Sequence, residues 1–240
     1  MNLDIGKAFT FVTDDPRWVT KLAIGGGIFF ASSLLSIVLV GLVGYVILFG
    51  YLLIMTRNVI AGNPTPLPEW DNWGELLSGG LKNIAVQLVL ALPAIIIYLF
   101  MVLTSSLSGS RNSGASLVGS SLSLVGCCLL IPAGLFAAIT IPAAVGRLAG
   151  MGSIGSALNP SGLLSTIRAN FGVYAVIVGM TIVTAIIANL GFIALCIGVY
   201  FTTFFAYLVN HHLYGQAYRN TQSAPIGYGQ QPMYGEPRPF

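Results

Sequence analysis

The sequence predicts an all-α membrane protein: six transmembrane helices arranged as three hairpins, with interfacial amphipathic helices between them. Three observations carry this. Only 7% of the 240 residues are charged, where a soluble domain carries about 25%. Mean hydropathy is +0.86. Charge-free runs cover 22–56, 83–110, 112–146 and 169–218, and they are continuous rather than alternating, which excludes a β-barrel.

A helix rises about 1.5 Å per residue, so about 20 residues cross about 30 Å of hydrocarbon. The first run is long enough for two spans, with a turn at Gly41 and Gly44. The last divides at Asn189-Leu190-Gly191. The two middle runs supply one span each, joined by the polar stretch SSLSGSRNSGAS. The expected spans are 20–40, 43–60, 84–104, 121–146, 170–188 and 192–212. The leading MNLDIGKAFTFVTDDPRW contains acids and no basic leader, so the first apolar run reads as a retained span.

Each pair of spans is entered through a polar segment near proline. In DDPRWVTKL, Asp15-Pro16 has the form of an N-cap followed by proline at the first helical position. Ile5, Ala8, Phe9 and Val12 share one helical face upstream of it. In PEWDNWGELLSGGLKN, a helix over 71–84 puts Asp71, Glu75 and Lys82 on one stripe. Trp73, Leu77, Leu81 and Ile84 lie on the opposite stripe, with Trp70 just upstream. Such a helix lies in the interface with its tryptophans at headgroup depth. Asn72 and Glu75 have capping-box spacing, and Gly79-Gly80 reads as the bend into span 3. In NPSGLLSTIRAN, the residues Leu163, Leu164, Ile167 and Phe171 form the apolar face. These recurring units suggest degenerate repeats at 1–62, 63–150 and 151–219 of a single membrane domain, 1–219. Residues 220–240, rich in Gly, Pro, Gln and Tyr, read as a disordered tail.

Nine basic residues fall on one side of this topology: Lys7, Arg17, Lys21, Arg57, Lys82, Arg147, Arg168, Arg219 and Arg238. Only Arg111 falls on the other. The positive-inside rule then puts both termini in the cytoplasm. Arg57, Lys82, Arg147, Arg168 and Arg219 read as a belt toward anionic headgroups, with Trp18, Trp70 and Trp73 as interfacial anchors.

DDPRWVTKLAIGGG, GYLLIMTRNVIAG, PLPEWDNWGELLSGGLKN and HHLYGQAYRN resemble a prokaryotic multi-pass membrane family known as domain of unknown function 4013. The resemblance covers roughly 8–220, and RNVIAG…PLPEWDNWG is its most specific part. It implies a membrane protein and no established activity, so it supplies no functional residues. The paired spans are also loosely similar to six-span domains that accompany glycerophosphodiester phosphodiesterases, but no hydrolase motif accompanies them here.

Motifs for chemistry are otherwise missing. No phosphate loop, dinucleotide fingerprint or nucleophile elbow occurs. No catalytic, cofactor-binding or metal-ligating residues are expected. A net charge of +3, scattered along the chain, does not fit nucleic acid. Cys127, Cys128 and Cys196 lie in apolar runs and read as packing residues. Pro93, Pro132 and Pro142 read as kinks in packed helices. His211-His212 reads as an interface anchor beside Tyr214. Asp14, Asp15, Glu69, Asp71 and Glu75 read as caps and solvated stripes. Ser32, Ser33, Ser36, Gln87, Thr181 and Thr184 read as interhelical hydrogen-bond partners. The expected role is that of a non-enzymatic accessory, scaffold or membrane-organising subunit. Its partners would be membrane lipids, anionic ones above all, with room for a protein partner or homo-oligomer. The alternative is a small-solute or lipid transporter.

Overall fold

The computed structural model describes residues 3–108, 113–193 and 197–222. Arg111, Cys196, Arg238 and all but the first three residues of the expected tail lie outside them. Among the described residues there are nine α-helices and no strand. They are α1 (Ile5–Thr10), α2 (Trp18–Leu35), α3 (Gly41–Ala61), α4 (Trp73–Ser108), α5 (Ser113–Met151), α6 (Ile154–Leu158), α7 (Pro160–Ala169), α8 (Phe171–Leu190) and α9 (Gly198–Gln222).

Five helical segments are long and apolar enough to cross a membrane: Trp18–Val38, Gly41–Ala61, Trp73–Ser106, Gly114–Met151 and Phe171–Ile193. The sixth expected span corresponds to α9, which is not among them. The physical reason is its second half, NHHLYGQAYRNTQ, whose polar residues lower its hydropathy. Those residues are hidden: Asn210, His211, His212 and Gln216 are all buried. α9 packs against α2, α3, α5 and α8. It joins both hydrophobic clusters of the protein. Phe204 and Leu208 face Phe11, Tyr51, Leu52 and Met55. Val209, Leu213 and Ala217 face Val86, Ala144, Leu148, Tyr174 and Ile177.

The turn between α2 and α3 differs in detail from a glycine turn. A 3-10 segment, Ser36–Val38, is followed by Leu39 in the left-handed conformation, φ 62°. Gly41 and Gly44 come just after it, and their missing side chains let α3 approach Ser32 on α2. Ser33 Oγ and Tyr45 Oη, 2.9 Å apart, join the same two helices.

The expected interfacial helix at 71–84 is corrected. It is the first part of α4, a single helix of 36 residues, about 54 Å long at 1.5 Å per residue. Asn72 caps it as expected: its Oδ1 accepts from the Glu75 N–H at 3.2 Å, and its Nδ2 donates to Glu75 Oε2 at 3.2 Å. Gly79 and Gly80 do not break it. A Cβ on Gly80 would overlap the Val46 carbonyl, and one on Gly50 the Leu76 carbonyl. These glycines bring α3 and α4 into backbone contact. Asn83, buried beside them, donates to the Phe49 carbonyl at 2.8 Å and accepts from Gln87 at 2.9 Å. Helix α5 runs alongside α4, with Thr104 and Ser123 hydroxyls 3.4 Å apart. Pro93, Pro132 and Pro142 all lie inside helices that continue past them.

Of the apolar face expected upstream of Asp15, Ala8 and Val12 are buried, and α1 packs on α9. The entry to α8 forms a short helix, α7, that buries half of the expected apolar face. Asn159 caps α7 through the Ser161 N–H, with Pro160 at the first position. Leu163 and Ile167 are buried, while Leu164 and Phe171 are exposed.

Candidate functional site

The polar residues concentrate where α2 and α4 begin and where α3, α5 and α9 end. Most of them hold the fold together there. Lys21, in the first turn of α2, is buried. Its ammonium donates to Asp15 Oδ2 at 2.6 Å and to the Leu67 carbonyl at 3.0 Å, and it pairs with Glu69 Oε1 at 2.7 Å. An ammonium has three N–H bonds, so its capacity is filled. Arg17 bridges to the same Glu69 oxygen at 2.6 Å from the exposed side. This overturns the expectation that Asp15 is a plain helix cap and Glu69 part of a solvated stripe. Asp15 does accept the Arg17 N–H at 2.8 Å, but its other oxygen belongs to a buried ion pair. Burial alone would push its carboxyl upward. The hydrogen bonds from Lys21 and Arg17 and their charges outweigh this and hold it below the usual carboxylate range.

The segment between α3 and α4 is tied to the same point. The Trp70 indole N–H donates to the Lys21 carbonyl at 3.3 Å, and its ring stacks on Tyr51 at 4.0 Å. Trp70, expected as an interfacial anchor, is half-buried and also packs against the Tyr51 cluster. Trp18 is half-buried against the same cluster, whereas Trp73 is 47% exposed at the start of α4.

Arg147 is also turned inward. It is buried, and its guanidinium donates to the Ser156 carbonyl (2.7 and 3.2 Å), the Gly162 carbonyl (3.1 Å) and Thr166 Oγ1 (3.1 Å). It therefore clamps the turn from α5 through α6 to α7. The remaining belt residues lie nearer the surface. Arg57 meets Glu75 at 3.0 Å across an exposed pair. Lys82 is exposed and has no hydrogen bond or ion pair among the described residues. Arg168 is exposed in the last turn of α7, and Arg219 in the last turn of α9. The structure brings Arg57 and Lys82 to one cleft of about 240 Å³, with Leu53, Ile54 and Leu148 along it. It does not bring Arg147 or Arg168 there.

Arg219 lines a second, larger cavity of about 540 Å³ with Asp4, Lys7, Asp14, His212 and Gln216. The N-terminal segment closes one side of it. Asp4 N–H donates to Gln216 Oε1 at 2.8 Å, and Gln216 Nε2 returns a bond to the Asp4 carbonyl at 3.0 Å. Lys7 pairs with Asp14 at 2.6 Å. His212 stacks on Phe11 at 4.3 Å, and His211 Nδ1 lies 3.0 Å from the Tyr207 carbonyl. Both histidines are buried, so they are packing residues rather than the expected interface anchors. Among the described residues no group of three or more His, Cys, Asp or Glu side chains is placed to hold a metal ion.

A family model described as protein of unknown function (DUF4013) matches residues 32–197. The chain belongs to the DUF4013 family. No curated protein and no solved structure matches it. The matched part of this DUF4013 protein runs from within α2 to the turn before α9. It includes Arg57, Lys82, Arg147 and Arg168. The Asp15–Lys21 pair, the N-terminal segment and α9 lie outside it. The family match and the apolar helices agree on a membrane protein, and the family itself has no assigned activity.

Sequence reasoning missed Gln216, Asn83 and Asn210. Asn83 carried a signal, since it is the polar residue that opens a charge-free run. Asn210 pairs with Thr184 at 3.0 Å within the bundle, which supplies the partner that Thr184 was expected to have.

Proposed function

We propose that this protein is a non-enzymatic integral membrane protein of the prokaryotic plasma membrane, acting as an accessory or membrane-organising subunit. The observation that supports this reading is how the polar groups are used. Lys21, Asp15, Arg147 and Gln216 are engaged in bonds that fasten chain segments to one another. Catalytic groups need free valences facing a substrate, and these have few left.

In this reading α9 is the sixth crossing, and the helices pair as three hairpins. Its polar half is wrapped by other helices, so low hydropathy does not bar it from the membrane. Both termini are then cytoplasmic, and the exposed cations face an acidic leaflet. Helix α7, with Leu164 and Arg168 exposed, lies along that surface.

The test is mild extraction of the tagged full chain from its native membrane, after cross-linking, followed by identification of what co-purifies. A stoichiometric membrane partner, or a homo-oligomer, is the expected result. A monomer that alone turns over a lipid or solute in vesicles would overturn the reading.

A further inference from the structure

We infer that the cleft between α3 and α4 walled by Arg57 and Lys82 is a discrete site for the phosphate of an anionic glycerophospholipid. This deepens the reading above and rests on its membrane placement. Three features of the cleft carry it.

The first is the state of the cations. Lys82 is exposed, and its ammonium has no hydrogen bond or ion pair among the described residues. Arg57 uses one terminal nitrogen on Glu75, so most of its five N–H donors remain. Two cations against the single Glu75 carboxylate leave the cleft one positive charge in excess. Ser78 Oγ already donates to the Glu75 carbonyl, so the cations are the donors available to an anion.

The second is depth. Immediately beyond Lys82, α4 becomes charge-free and exposes Leu88, Val89, Leu92, Ile96 and Leu99. Before it, the helix exposes Glu75 and Ser78 beside Trp73 and Leu81, the mixed polar and apolar surface of an interface. Lys82 therefore stands at the boundary between this interfacial surface and a lipid-facing one, where a phosphate headgroup sits. A soluble anion would gain nothing from the apolar side chains below it.

The third is shape. The cleft measures about 240 Å³ and is lined mainly by polar groups, with half-buried Ile54 beside the cations and Leu53 and Leu148 buried beneath them. A headgroup phosphate would meet the cations, and the lipid's acyl chains the apolar residues that α4 exposes beyond Lys82. The backbone contact at Gly50 and Gly80 holds the two helices in register, so the Arg57 and Lys82 backbones are preorganised.

The experiment is native mass spectrometry of delipidated full-length protein offered phosphatidylglycerol, phosphatidylcholine or free glycerol phosphate. Lys82 is exposed and its side chain is unpaired among the described residues, so Lys82→Gln is expected to leave the fold intact. Wild type should retain phosphatidylglycerol over phosphatidylcholine. Lys82→Gln should weaken retention by about fivefold and Arg57→Gln/Lys82→Gln by more, while Arg168→Gln leaves it unchanged. Equal loss in Lys82→Gln and Arg168→Gln would overturn the proposal in favour of a diffuse basic rim. Unchanged retention in the double variant would overturn it outright. Competition by glycerol phosphate as strong as by the lipid would overturn the lipid as ligand. Lipid retention lost while a membrane partner still co-purifies would leave the accessory role standing. A retained lipid with no partner would do the reverse.

Discussion

Removing one member of a buried ion pair leaves the other charged in a poor solvent, and that survivor accounts for most of the damage. Lys21 and Asp15 are in this position. Lys21→Met is expected to destabilise the protein by about 3–5 kcal/mol, read as a lowered thermal midpoint in detergent. Lys21→Met/Asp15→Leu should recover much of the loss, because no uncompensated charge remains. The pair also fixes a pH dependence. The Asp15 carboxyl binds its proton more weakly folded than unfolded. Its contribution is therefore complete above the unfolded value of about 3.9 and lost as pH falls through the lower, folded value. A melting series taken downward from about pH 6 should show declining stability at the acid end, with a shallower decline in Asp15→Asn.

Helices α3 and α4 meet where side chains are absent. Gly80→Ala should push the backbones apart and cost about 1–3 kcal/mol. Gly134→Ala on α5, where nothing lies within 4 Å of the added carbon, should cost little. Thermal unfolding of the two variants in one detergent decides it, and equal losses would refute the contact. The same glycines show where the sequence stopped being readable. A glycine pair between a charged stripe and an apolar run reads equally as a bend or as a contact. Only the position of Val46, far away in sequence, separates the two. Trp70 poses the same problem, since its partner Tyr51 sits on another helix. Local signals fared better. The Asn72 cap and the apolar runs depend on neighbours within a few residues, and they form as the sequence indicates. Arg147 lies between these cases: its charge was visible, but its inward turn depends on carbonyls of α6 and α7.

At the level of the bundle, the proposed six-crossing topology would put the stretch between α4 and α5 outside and the start of α4 inside. With Cys127, Cys128 and Cys196 replaced, a cysteine at Gly114 should react with an impermeant reagent in intact cells. One at Ser78 should react only after permeabilisation. The opposite pattern would overturn the orientation.

On that topology, the burial of α9 also constrains biogenesis. The expected span 192–212 carries Asn210, His211 and His212, whose amide and imidazoles would find no partners in pure lipid. The helices that surround it, α2, α3, α5 and α8, all precede it in the chain. They are the solvent into which it partitions, and the translocon must hold or readmit α9 until they have assembled. Insertion of this protein is thus ordered by its own architecture, and a lesion in an early helix would strand the polar one outside the bilayer.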